Sequence, residues 1–498
     1  MNKYKWFFCL ITLLLSRTSF AQDYNILDFG AKTDTTFLNT QAIQSAINKC
    51  HSQGGGEVVV PAGKYITGTI FLKSNVYLKL SAGAILQGSY HPTDYPAHNI
   101  LSAKKFGTIT HDGIYVESMK ALVIADNAQH VGIIGEGTLK GAGDGAAFQL
   151  GLNKDGKPKN IFFISCKDVV LKDVDILNSA QVTISISGCE RVLVDGIYVR
   201  SLVNWNCDGI DIDAKDVVVN NVIIDSEDDA LCFKSEYLDK FCENITVSNC
   251  VLSSLCNGLK LGTGSRTGFR NITVNNCVIK KSSFNGYRHW KMTPEIVHNP
   301  DIQSVNTGIV ILAVDGGVME NIHFSNIVMT DVLSPFFIRV GKRFLNPENK
   351  PSFMKNISIS NVKAETRSVI PSIIAGLEDS PVEVIKLSNI HITVPIGVEN
   401  DLLITFPTSP TEDLKGYPEN RLTFGTKLPA SAFYIKHARG ITMTDVSVTY
   451  LANDARPAFY LDDVENIKLR SVFTNEKKLV DNKKMVVKEK SQDVRVID

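Results

Sequence analysis

The chain has 498 residues, 44% of them hydrophobic, with 52 basic side chains against 52 acidic ones. A chain of that size buries a large core, as one elongated domain or as two to three compact ones. The even charge balance gives no electrostatic case for a nucleic-acid or membrane-surface partner.

The chain opens "MNKYKWFFCLITLLLSRTSFAQ": two lysines, an apolar run Trp6–Leu15, then Ser19-Phe20-Ala21, a small-x-small cleavage pattern. This reads as a secretory signal peptide over residues 1–21, too short for a membrane anchor, and no later stretch is apolar enough to insert in a membrane. The expected location is secreted or periplasmic. Cleavage removes Lys3, Lys5 and Arg17 and no acid, leaving 49 cations against 52 anions. Nine cysteines remain. Cys166, Cys189, Cys232, Cys250 and Cys277 fall within or at the end of apolar segments, where a thiol behaves as a small buried hydrophobe, so mostly free thiols are expected. No CxxC pair is present, and neither a metal nor another cofactor is expected.

"TQAIQSAINKCHSQGGGEVVVPAG" reads as a short amphipathic helix with Ile43, Ala46 and Ile47 on one face, stopped by Gly54–Gly56. After it one phrase returns: "KDVVLKDVDI" at 167, "ERVLVDGIYV" at 190, "KDVVVNNVII" at 215, "ENITVSNCVL" at 243 and "RNITVNNCVI" at 270. It continues as "ENIHFSNIVM" at 320, "KNISISNVKA" at 355, "RGITMTDVSV" at 439 and "ENIKLRSVFT" at 465. Each unit holds two short β-branched strands around a polar Asn, Asp or Ser corner, with no helical period. Self-similarity at this period predicts an all-β, right-handed parallel β-helix over residues 22–498, with the short helix capping its first coil. The recurring Asn-Ile-Thr triplets read as corner residues before glycosylation acceptors. The charged tail from Asn475 reads mainly as a solvated face at the far end. Two segments break the rhythm, Lys281–Asn306 and Pro395–Pro429, and are expected to leave the coil as long loops.

Four segments begin alike: "NCDGIDID" (206–213), "DDALCFKS" (228–235), "CNGLKLGT" (256–263) and "TGIVILAV" (307–314). Aligning their alternation turns Ile210, Leu231, Leu259 and Ile309 inward, followed by Ile212, Phe233, Leu261 and Ile311. Stacked about 4.8 Å apart, such strands bring Asp208, Asp229, Asn257 and Thr307 to one corner on successive rungs, with Asp228 beside them. The outward face then carries Asp211, Cys232, Lys260 and Val310 in one row and Asp213, Lys234, Gly262 and Leu312 in the next. A single corner Asp is ordinary turn chemistry. Three carboxylates in one register raise one another's pKa, so that one keeps a proton while its neighbours ionise. That is the division of labour of acid/base glycoside hydrolysis.

These segments, with "DFGAKTDT", "GGGEVVVPAGKYITGTIFLKSNVYLKLSAGAILQGS" and "GEGTLKGAG", resemble glycoside hydrolase family 28, the polygalacturonases and rhamnogalacturonan hydrolases. The resemblance covers nearly all of the chain after residue 21. It implies an inverting hydrolase of pectic poly- or oligosaccharides, with Asp228 as general acid and Asp208 and Asp229 holding the water. Asn206 opens the matching Asn-x-Asp. Two departures stand out. The family's Gly-His-Gly falls on Cys256-Asn257-Gly258, and its Arg-Ile-Lys, which grips a galacturonate carboxylate, falls on Val310-Ile311-Leu312. Lys260 and Lys234 are the candidate replacements for the lost cations. A substrate mixing acidic and neutral sugars, such as rhamnogalacturonan, would suit such a site.

Outer candidates for the substrate are Arg288 and Trp290 in "FNGYRHWKMTPE" and Arg339 in "FFIRVGKR", with Arg343 beside it. Two other functions remain open. A polysaccharide lyase on the same fold needs clustered acids for calcium and an Arg or Lys base. A non-catalytic carbohydrate-binding β-helix would explain the lost His and Arg-Ile-Lys but leaves three aspartates in register without a purpose.

Overall fold

The computed structural model describes residues 23–99, 118–149, 156–237, 239–284, 304–344, 350–399, 419–426, 428–481 and 485–498. The expected signal peptide lies outside these residues, as do Arg288, Trp290 and most of the Lys281–Asn306 excursion.

Alternating β-branched side chains make every repeat a strand pair, and the strands add coil upon coil. One sheet of 32 strands results, in which successive coils pair in parallel almost throughout. The architecture is a parallel β-helix. Its core is a continuous column of inward side chains, among them Ile161, Ile184, Ile210, Leu231, Leu259, Ile309 and Phe336, paired rung to rung and fully buried. Helix α1 (Thr40–Ser52) buries Ala42, Ile43, Ala46, Ile47 and Cys50 in the same core as Val58 and Val76 of the first coils. It thereby covers strand ends that would otherwise template aggregation.

The corner asparagines explain the recurring triplets. Asn244, Asn271, Asn321 and Asn356 all have φ of 56–57°, the left-handed region that Asn tolerates better than most residues. Their amides donate up the stack: Asn271 to Asn244 at 3.1 Å, Asn321 to Asn271 at 3.3 Å and Asn356 to Asn321 at 2.6 Å. A second ladder runs through Asn326, Asn361 and Asn389 at 2.9 Å per step. The nine described cysteines are all buried and free. At the far end, Val486–Glu489 and Gln492–Ile497 pair in parallel with the last full coil, so the charged tail is part of the sheet as well as solvated.

The site is set by one side of the solenoid, built from β1 (Lys159–Ile164), β2 (Ile184–Asp195), β3 (Ile210–Asn220), β4 (Leu231–Ser235) and β5 (Asn257–Ser265). It continues through β6 (Val305–Ala313), β7 (Val318–Val340), β8 (Ser372–Ala375), β9 (Phe433–Arg439) and β10 (Phe459–Thr474). Their outward faces line up as Phe162, Ser185, Asp211, Cys232, Lys260, Val310, Phe337, Ile373, Tyr434 and Tyr460. The expected row Asp211–Cys232–Lys260–Val310 is therefore present. The next expected row is not continuous: the register shifts between Phe233 and Ser235, and Ser235 pairs with Ser265, so Lys234 and Gly262 are not rung neighbours.

Candidate active site

Asp208, Asp229 and Asn257 end the turns that feed β3, β4 and β5. The backbone hydrogen bonds from Gly209 to Asp229 (2.8 Å) and from Ala230 to Asn257 (2.9 Å) stack these corners directly. Asp228 is strapped beside them, because the hydroxyls of Ser226 and Ser254 both donate to its carbonyl, at 2.7 and 2.6 Å. The Asn206 amide reaches the Asp228 carboxylate at 3.4 Å. All three aspartates are buried.

Their surroundings differ. One oxygen of Asp229 accepts from the Asn257 amide at 2.7 Å and from the Asn257 backbone N–H at 3.2 Å, and the other accepts from the Lys260 ammonium at 2.9 Å. Burial works to raise its pKa, but Lys260, Lys234 and these hydrogen bonds outweigh it and hold the carboxyl below the ordinary range. Among the described residues no such donors face Asp208. Burial, and then the charges of Asp211, Asp228 and Asp229, push it well above the ordinary range, with Lys234 opposing. One carboxylate is thus held in its ionised form while its neighbour on the adjacent rung favours a proton.

An unanticipated residue completes the cluster. Glu419 accepts from Lys260 at 2.8 Å and from the amides of Asn257 and Asn306 at 3.1 Å each. It comes from the Pro395–Pro429 excursion, just before helix α2 (Asn420–Phe424). Asn420 anchors the turn by donating to Thr307 at 3.0 Å. Beyond it Phe424, Leu428 and Ala430 pack on Val310, Leu312, Phe337, Ile373, Tyr434 and Tyr460 as a second apolar core outside the solenoid. Val310 and Leu312, the positions of the absent cations, are fully buried beneath this segment. The outward row changes from charged to apolar between Lys260 and Val310 because from there on it is covered by the chain itself.

The remaining candidates are placed as follows. The Lys260 ammonium, only 2% of the residue being exposed, is held between two carboxylates. Lys234 faces Asp211 at 3.9 Å. Arg339 is buried, donates to Thr423 at 2.9 Å and lies over the Phe424 ring, while Arg343 pairs with Asp315 at 2.6 and 2.8 Å. Both arginines therefore hold structure together next to the covering segment. Among the described residues the one group of donors close enough for a metal ion is Asp228, Asp229 and Cys256, within 4.8 Å of one another. A thiol is a poor ligand for calcium, and the oxygens of Asp229 already serve Lys260 and Asn257.

A profile of the glycosyl hydrolases family 28 matches residues 50–405. The chain belongs to this family. It is 30% identical over 223 residues to a probable polygalacturonase of Vitis vinifera, covering 43% of this chain and 45% of that protein. It is 27% identical over 275 residues to an exo-poly-alpha-D-galacturonosidase of Dickeya chrysanthemi, covering 45% and 43%. The matches thus span less than half the length of these two curated relatives. With an endo-polygalacturonase of Pectobacterium carotovorum the identity is 22% over 383 residues, 72% of this chain and 87% of that one. Among solved structures, an exopolygalacturonase of Thermotoga maritima superposes with a TM-score of 0.58 at 24% identity, over 75% of this chain and 87% of its own. A family 28 exopolygalacturonase of Yersinia enterocolitica gives 0.58 at 16%, over 96% and 79%. Both share the fold. Within family 28, Glu419 lies beyond the matched region, on a segment whose sequence has neither repeat nor periodicity to announce it.

Proposed function

We propose that this family 28 chain is an exported glycoside hydrolase that cleaves a uronic-acid-containing pectic poly- or oligosaccharide with inversion, as rhamnogalacturonan or a related pectin would require. The observation that carries the reading is the convergence of three buried carboxylates at one corner of adjacent coils, one of which, Asp229, is kept ionised by Lys260 and Asn257. Hydrolysis of a glycosidic bond needs one carboxylic acid to protonate the leaving oxygen and one carboxylate to polarise water. Asp228, strapped at the corner between the other two, is assigned the acid. Asp229, with Asp208 once ionised, holds the water.

The sealed face over Val310 and Leu312 supports a substrate other than plain polygalacturonate, since the cations used for that sugar are absent and their place is filled. The N-terminal segment, read as a signal peptide, supports export. The test is a screen of the purified protein against pectic oligosaccharides of defined linkage, with products resolved by mass and anomeric configuration and the Asp228→Asn protein as control. Release of a uronate-containing product by the wild type alone is expected. An unsaturated product would show a lyase, and no cleavage of any member would overturn the reading.

A further inference from the structure

On the opposite side of the aspartates from the sealed face, the solenoid opens into a pocket of about 100 Å³ lined by Lys159, Lys234, Asp211, Gln181, Ser185 and Glu236, among others. Lys159 and Lys234 are each more than nine-tenths buried. A buried ammonium normally meets three acceptors, since an unpaired one forfeits its hydration without return. Among the described residues neither has one within hydrogen-bonding distance. Among the described residues Lys159 makes only a cation–π approach to Phe162 at 5.7 Å, and Lys234 only the 3.9 Å approach to Asp211, beyond hydrogen-bonding range. One carboxylate oxygen of Asp211, equally buried, is likewise without a donor. Three charged groups with unmet hydrogen-bonding capacity thus converge on one small opening. Asp211 and Lys234 are in turn close enough to Asp208 to influence its charge.

We infer that this pocket is a subsite for one uronic acid unit, its carboxylate received by Lys159 and Lys234 and a ring hydroxyl by Asp211. The inference rests on the hydrolase reading for its place in the reaction but not for its chemistry. It accounts for where a uronate is gripped in a chain whose Val310 and Leu312 cannot do so, and it sets aside Lys260, whose ammonium is held between Asp229 and Glu419. The acids around the pocket act unequally on the two lysines. Burial raises Asp211 and Asp213, pushes Glu236 up to about 7 and lowers Lys159, whereas Asp211 and Asp208 outweigh burial at Lys234 and hold it well above the ordinary range.

The decisive variant is Lys159→Met, which keeps the stem and removes the charge. A charge-assisted hydrogen bond in such a site corresponds to about a ten- to hundredfold change in affinity. The ratio of kcat/KM on a uronate-containing oligosaccharide to that on its carboxyl-reduced counterpart should fall by that factor. The melting temperature should hold or rise, because an unpaired buried cation has been removed. An equal loss on both substrates, or a lowered melting temperature with the ratio unchanged, would show a structural lysine or a water-filled pocket only. Binding is measured separately on the wild-type protein. Galacturonate should protect it from thermal unfolding where galactose at the same concentration does not. Equal protection by the two sugars, or none, would overturn the subsite. Selective protection by galacturonate in a protein that hydrolyses no pectic substrate would leave the subsite standing and remove the hydrolase reading.

Discussion

The Glu419 carboxylate accepts a hydrogen bond from the Lys260 ammonium at 2.8 Å, although 159 residues separate the two in the chain. The same ammonium serves Asp229 at 2.9 Å, so a side chain from the covering segment helps set the charge of an aspartate at the site. Glu419→Gln keeps the shape and removes the charge. It should cost about 1–3 kcal/mol of stability, the scale of a buried hydrogen-bonded group losing its match, and lower turnover at least tenfold. Thermal melting and kcat on the same preparation check both.

Lys260→Met is expected to be harsher. It leaves Asp229 and Glu419 buried without their shared cation, a situation that costs about 3–5 kcal/mol. Because this lysine faces two of the chain's own carboxylates, the loss of activity should be equal on acidic and carboxyl-reduced substrates. A loss confined to the acidic substrate would mean that the ammonium reaches the sugar.

Phe424→Ala tests how the covering segment holds Glu419 in place. The ring meets Phe337 and Tyr434 edge-on, with centroids 6.0 Å apart in each case. Removing a buried phenyl ring costs roughly 3–5 kcal/mol. With Glu419 less firmly placed, kcat should fall although residue 424 packs in the apolar core outside the solenoid. Proteolysis should cut the segment in the variant before the solenoid.

Asp228→Asn should reduce turnover by about a hundred- to ten-thousandfold, the usual worth of a general acid, with the melting temperature little changed. Early product from the wild type should carry the inverted anomeric configuration by proton NMR. Retention, or a sugar covalently attached to the protein, would make one of these aspartates a nucleophile.

The pH profile follows from the sign of the Asp208 shift. Its carboxyl is raised, so it loses its proton only above the ordinary carboxylate range, and a base role for it makes kcat climb with pH through that region. Asp211 contributes to the rise and Lys234 opposes it. Asp211→Asn should therefore move the acid limb of kcat at saturating substrate to lower pH, and Lys234→Met should move it to higher pH. Shifts of the same sign in the two variants would remove Asp208 from the rate-determining ionisation.

Much of this was legible in the amino-acid sequence because a solenoid turns chain position into geometry. Alternation alone aligned Ile210, Leu231, Leu259 and Ile309, and with them the outward row from Asp211 to Val310. The second row failed at Lys234, where the register slips and no hydropathy pattern marks the irregularity. Glu419 was hidden for a different reason. Its segment folds only by packing on Phe337, Tyr434 and Tyr460, residues that an isolated strand would present to solvent, so its position belongs to tertiary contact and not to local preference. Lys159 escaped notice because nothing near it in the chain is chemically unusual. Its meaning comes from the partners it lacks.

The amide ladders have a consequence for how such a protein can change. Each asparagine locks one coil onto the next at a fixed step of about 4.8 Å, so position along the axis comes in whole units. Asp208 and Asp229 stand on adjacent units, and a coil added elsewhere in the stack would translate everything beyond it while leaving their separation untouched. One coil added between them would put the two carboxylates two steps apart instead of one. Growth or loss of length is therefore tolerated least between Lys159 and the coils under Glu419, where side chains of different coils meet at one place.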